Sequence, residues 1–219
     1  AHPARVVCLM ISDVVGDRMD TIASGPTVPD PTTFSEALEV LKKYQLYDKV
    51  PETVRSYLEK GVKGEAPETP KPGDPVFERV VNRVVASNII SLNVMKSKAE
   101  SLGYNTLILT SLLEGEAREV GKVMVSIAKE IKRTGNPIKP PAVGLAGGET
   151  TVTVKGRGRG GRNQELALSA AISLEGEKGI AIASVGSDGR DGPTDAAGAV
   201  IDGETVIKAK KAGLNPYKF

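Results

Sequence analysis

The sequence predicts an α/β protein: a three-layer sandwich around a mostly parallel, mixed sheet. Three observations carry this. Short apolar or β-branched runs at 6–11, 79–86, 105–111, 142–146 and 179–185 have the length and composition of strands. Segments with helical apolar periodicity stand between most of them, as crossover connections require. Thr151, Val152, Thr153 and Val154 alternate like an edge or hairpin arm, which makes the sheet mixed.

Each element has its own signal. The run 6–11 is continuously apolar and reads as a buried parallel strand. Thr33 with Glu36 forms the sequence pattern of a capping box, and Ala37, Leu38, Val40, Leu41 and Tyr44 then mark one helix face. Pro51 opens a second helix carrying Val54, Tyr57 and Leu58, with Gly61 as its stop. From 62 to 75 the text is Gly, Pro, Glu and Lys without a period, so a linker and domain boundary are expected there. After the strand at 79–86, Ile89, Leu92, Val94 and Met95 mark a helix that closes at Gly103. Val120, Val123, Ile127 and Ile131 share one face of a long helix over 116–133, closed by Gly135. A further helix is expected over 163–174.

Composition removes several function classes. The 219 residues are 40% hydrophobic and 26% charged with a net charge of +2, too little to imply a nucleic-acid or membrane partner. Aromatic residues are 4% and Trp is absent, so neither a sugar platform nor a base-stacking face suggests itself. One histidine, His2, and one cysteine, Cys8, cannot build a Ser-His-Asp triad, a Cys-His pair or a zinc site of several His or Cys ligands. No internal disulfide is available either, which fits a reducing cytoplasm.

The richest stretch is 144–171. An apolar approach ends in a turn at Gly147, Gly148, Glu149 and Thr150; the run KGRGRGGR then feeds a helix opening at Asn163, Gln164 and Glu165. Glycines let backbone amides turn inward, a helix N-terminus adds unpaired N–H groups, and Arg162 supplies a planar cationic fork. Together they describe an anion cradle. A solvated loop, or an RGG-like grip on RNA phosphates, shares the composition. The run is short, however, clamped between two elements, and lacks interleaved aromatics.

Two acidic segments follow strand ends, where ligands bind in α/β sheets. Asp13 and Asp17 come after the run 6–11; each reads either as a site carboxylate or as a loop cap. Ser24, Gly25, Pro26 and Thr27 form a hydroxyl-bearing turn that either touches phosphate or turns the chain. Asp188, Asp191 and Asp195 lie close together off the run 179–185, spaced by Gly189, Gly192 and Pro193. A cation, Mg²⁺ with phosphate or Ca²⁺, would relieve their repulsion; an exposed acidic turn is the alternative. A phosphate clamp beside metal-holding carboxylates is the inventory of phosphoryl transfer. Neither a Walker motif nor a dinucleotide-binding fingerprint is present.

These segments, ISDVVGDRMDTIASGPTVPDPTTF, ASN at 86–88, LEGEAREVG, GGETTVTVKGRGRGGRNQELALSAA and SDGRDGPTDAAGAVIDG, closely resemble the glycerate 2-kinase family, whose C-terminal part is called the MOFRL domain. The resemblance implies transfer of the ATP γ-phosphate, with Mg²⁺, to the 2-hydroxyl of D-glycerate. An older family label, hydroxypyruvate reductase, and a non-catalytic ligand-binding module are the alternatives. It further implies that 1–78 is the tail of a Rossmann-like domain with its linker, and that 79–219 is a MOFRL-type domain lacking its closing segment. The chain is thus expected to be a piece of a longer protein.

Carried over by motif, Arg162 would bind the glycerate carboxylate or the transferring phosphate, and Asp13 would orient the hydroxyl or hold Mg²⁺. Asp188 and Asp191 would contact metal or nucleotide, with Asp195 beside them. Ser24 to Thr27, Gly147 to Thr150, Asn163 and Gln164 would line the phosphates. No nucleic acid or membrane partner is expected; a homodimer is compatible with this reading.

Overall fold

The computed structural model describes residues 3–218 and divides into two compact units, Ala1–Ser87 and Asn88–Phe219. Both are mixed α/β. Among the described residues six strands pair two by two: two pairs are parallel and one is antiparallel.

In the first unit β1 (Val6–Ile11) pairs in parallel with β2 (Val80–Ala86), Val6 opposite Val80. This pairing places β2 with the first unit, whose last residue is Ser87. The helices α1 (Phe34–Lys43) and α2 (Glu52–Val62) lie between the two strands in sequence. Thr33 caps α1 with the reciprocal Glu36 box that the sequence indicated. Gly61 lies inside α2 instead of ending it. The Phe34 ring rests on it, and a Cβ there would sit 2.2 Å from that ring. The same ring meets Tyr57 edge-on at 5.7 Å. β1 is not buried on both faces: Val7, Leu9 and Ile11 are exposed.

In the second unit α3 (Asn88–Ser101) leads to β3 (Asn105–Leu113), which pairs in parallel with β4 (Ala142–Gly148). Between them runs α4 (Ala117–Thr134), followed after β4 by α5 (Arg162–Ser173). The antiparallel pair β5 (Ala181–Val185) and β6 (Gly198–Asp202) comes next, and α6 (Thr205–Lys211) follows. The core is made by Val125, Ala167, Ala170, Ala171, Leu174, Ile201 and Val206. Alanines on α5 and Gly121 on α4 let these helices approach closely; a Cβ at Gly121 would lie 2.5 Å from the Leu166 carbonyl.

The arm expected at Thr151 to Val154 does not form a strand. Thr151 makes one isolated bridge to Glu116. The Glu116 carboxylate then takes the Thr153 N–H at 3.0 Å and its hydroxyl at 3.1 Å, the place a partner strand would fill. Among the described residues no helix is long and apolar enough to cross a membrane.

Candidate functional site

The second unit brings Arg162, Asn163, Gln164, Asp191, Glu149 and Thr150 to one end of α5. This helix begins at Arg162, and its N-cap, Gly161, has no side chain with which to satisfy the first N–H groups. Asp191 does so from the loop after β5. Its Oδ1 accepts from the Asn163 N–H at 3.0 Å and its Oδ2 from the Gln164 N–H at 2.8 Å. The side chains of Asn163 and Gln164 add further bonds to the same oxygens at 3.2 and 3.0 Å. Gln164 also donates to Thr194 Oγ1 at 2.9 Å, and Ser184 donates to Asn163 Oδ1 at 2.7 Å. Asp191 is only 2% exposed. Burial alone would push its carboxyl up, but the two backbone N–H groups and the two amide side chains together hold it below its ordinary value.

These bonds bear on two of the expected site roles. The N–H groups expected to cradle a ligand's anion are engaged by the protein's own carboxylate. Asp191 therefore caps the helix from the loop after β5. Among the described residues no group of three or more His, Cys, Asp or Glu side chains is placed to hold a metal ion. Asp188 is exposed and accepts the Arg190 N–H at 3.0 Å, and Asp195 is exposed as well.

The glycine and arginine run and the aspartate loop do pack together. Gly192, at φ 59°, lies so near the run that a Cβ would be 2.2 Å from the Gly160 carbonyl; one on Gly161 would be 2.3 Å from Asp191 Cγ. Arg159 Nη2 donates to the Pro193 carbonyl at 2.6 Å. Gly158 and Gly160, by contrast, have nothing within 4 Å of where a Cβ would stand. Arg162 is exposed and pairs with Glu149, its Nη1 also reaching the Thr150 carbonyl at 3.5 Å. The β4 turn that presents Glu149 needs both its glycines. A Cβ on Gly147 would be 2.0 Å from Asn88 Oδ1, and one on Gly148 2.0 Å from the Leu113 carbonyl.

In the first unit Asp13 is exposed just past β1, following the buried Ser12. The turn 24–27 is fastened to β2 by Asn82, which accepts from Thr27 Oγ1 at 2.6 Å and donates to the Thr27 carbonyl at 3.0 Å. Ala23 at φ 49° and Ser24 at φ 61° precede Gly25 at φ 59°. Two consecutive non-glycine residues in the left-handed region store strain of a kind that clusters at ligand sites. Nothing in the sequence signalled it.

Residues 142–219 match the model of the MOFRL family, and residues 1–59 match a domain of unknown function, DUF4147. The chain is 46% identical to a protein of Pyrococcus horikoshii named glycerate 2-kinase, over 97% of this chain and 48% of that protein. It is 46% identical to a Thermotoga maritima protein named D-glycerate 2-kinase, over 99% of this chain and 49% of that one. The chain belongs to the glycerate 2-kinase family. Its fold agrees: the crystal structure of the Thermotoga maritima glycerate kinase superposes with a TM-score of 0.86 at 46% identity, covering 99% of this chain and 49% of that one. The chain thus spans about half the length of the family members it matches. The MOFRL match takes in β4, α5, the aspartate loop and Arg162, so the site geometry described above lies almost wholly within it.

Proposed function

We propose that this chain contributes to a kinase that transfers the γ-phosphoryl group of ATP to the 2-hydroxyl of D-glycerate. The support from kinship is the name shared by its relatives in Pyrococcus horikoshii and Thermotoga maritima. The observation that carries the reading is the placement of Arg162. It is an exposed guanidinium on the first turn of α5, directly after a glycine-rich run and paired with Glu149 of the turn after β4. A planar fork so placed suits a carboxylate or a phosphoryl group, and positioning plus charge neutralisation is most of what phosphoryl transfer asks of a protein.

On this reading ATP supplies the phosphoryl group and Mg²⁺ offsets its charge. Mg²⁺ keeps several waters and takes one or two carboxylates beside the phosphates. The exposed Asp188 and Asp195 are assigned to that lesser demand, since among the described residues there is no three-carboxylate group. Arg162 holds the glycerate carboxylate or the transferring phosphoryl group, and Asp13 in the first unit is assigned to the reacting hydroxyl. Gly147 to Thr150 and Ser24 to Thr27 are assigned to phosphate contacts. The sole cysteine fits a cytoplasmic setting.

The test is Mg²⁺-dependent formation of ADP and 2-phosphoglycerate from ATP and D-glycerate by the purified protein, with Arg162→Ala as the variant. A loss of about a hundredfold or more in kcat/KM is expected; an unchanged rate removes Arg162 from the mechanism.

A further inference from the structure

The first residues of α5 are held from both sides of Arg162. Before it, Gly161 packs against the Asp191 carboxylate, where even a methyl group would collide. After it, the N–H groups of Asn163 and Gln164 are each bonded to one Asp191 oxygen. Gly192 sits against the Gly160 carbonyl in a left-handed conformation, which seats Asp191 in this place. Asp191 is 2% exposed, with both oxygens facing the helix, so it has no face left for a ligand. Arg162 itself is exposed, and among the described residues its guanidinium bonds to Glu149 and the Thr150 carbonyl rather than to Asp191.

We infer that Asp191 is the positioning residue for Arg162: it fixes the backbone from which the guanidinium reaches the substrate anion, and itself touches neither substrate nor metal. The inference rests on the proposed kinase reading for its kinetic consequence and on geometry alone for its structural one. An anchor of this kind has a physical motive. A flexible arginine on a frayed helix end would lose much of its orientation, and a displacement of about 1 Å at a reacting group can cost a hundredfold in rate. A buried carboxylate bonded to the first N–H groups removes that fraying while leaving the side chain mobile.

The experiment compares wild type with Asp191→Asn, which keeps the shape but turns one acceptor into a donor, and with the milder Gln164→Ala. Amide hydrogen exchange over the first turn of α5 should rise about tenfold or more in Asp191→Asn, with α4 unchanged, and the ¹⁵Nε–Hε resonance of Arg162 should shift. Gln164→Ala should move both readouts the same way by less, and it decides the matter if Asp191→Asn does not fold. Kinetically, kcat/KM should fall by roughly tenfold to a hundredfold. The effect should be non-additive with Arg162→Ala, and the Mg²⁺ concentration for half-activation should not change. A raised Mg²⁺ requirement with unmoved exchange would overturn the inference in favour of a metal ligand; additive losses or an unmoved Arg162 resonance would overturn it too. If no glycerate-dependent turnover is found in wild type, the kinase reading fails, while exchange and the arginine resonance still decide the anchor.

Discussion

Arg162 at the head of α5 pairs with Glu149 in the turn after β4, both side chains about half exposed at 49% and 46%. A carboxylate of the protein thus occupies the partner position that the proposed function gives to a carboxylate or phosphoryl group of the substrate. An exposed pair of this kind contributes about 1 kcal/mol or less to stability. Its significance is competition: the guanidinium must leave Glu149, or share it, to take up a ligand anion.

Glu149→Gln should therefore leave Tm nearly unchanged and lower the KM for glycerate severalfold, measured at saturating ATP. A higher KM instead would mean that Glu149 helps to hold the ligand, as its place in a phosphate-lining turn would suggest. The comparison separates a self-occupied arginine from a cooperative pair.

The glycines around this arginine should divide into two classes when changed to alanine. Gly161 faces the Asp191 carboxylate at 2.3 Å from where its Cβ would be, so Gly161→Ala forces the loop or the helix to move. A destabilisation of about 1–3 kcal/mol is expected by thermal or urea unfolding. Gly158 has open space around it and no left-handed backbone requirement. Gly158→Ala should keep wild-type stability while reducing ATP-dependent turnover, because neither packing nor conformation of the chain itself calls for glycine there. Equal Tm losses in the two variants would remove the case for a ligand beside Gly158.

Local signals were legible where one residue type settles a conformation. Thr33 with Glu36 announced the capping box, and the stripe from Val120 to Ile131 announced α4, because such signals act within a turn or two of helix. What failed to show needed distant partners. Gly61 reads as a helix stop until the Phe34 ring is seen to lie on it. β6 was not anticipated, since GAVID follows a run rich in Gly and Pro and gains its strand character only from β5. Thr151 to Val154 has the alternation of a strand, but the Glu116 carboxylate binds Thr153 instead.

The site shows the same contrast. From sequence, Asp191 goes to a metal or nucleotide, because three nearby carboxylates suggest a cation, and it is given no place in the helix start. Its partners within the chain are the two helix N–H groups 28 and 27 residues earlier. No spacing rule reports such a cap. The absence of a capping side chain at Gly161 was the available hint: a helix start without its own cap invites one from elsewhere.

Helix packing gives a prediction independent of the site. Gly121 allows α4 to meet α5 along Leu166 and Ala170, and an added side chain would find the Leu166 carbonyl at 2.5 Å and the Ala170 nitrogen at 3.2 Å. These are backbone atoms of a buried helix and cannot step aside alone. Gly121→Val should cost about 3 kcal/mol or more, lowering the urea midpoint without changing the slope of the transition. If the variant unfolds at the wild-type midpoint, the two helices do not cross this closely in solution.

Asp191 also sets an expectation for acid stability. Its folded carboxyl lies below the ordinary aspartate value because hydrogen bonds to α5 outweigh burial. A group depressed in this way binds its proton less readily when folded than when unfolded. Its contribution is therefore fully present above the unfolded pKa of about 3.9 and is lost as the pH falls through the lower folded value. Unfolding measured from pH 6 downward should show stability holding to about pH 4 and then declining, with the wild type losing more than Asp191→Asn over that interval, since the amide has no proton to gain. Identical acid profiles for the two proteins would mean that the carboxylate is not ionised against the helix, and the cap would have to be a neutral one.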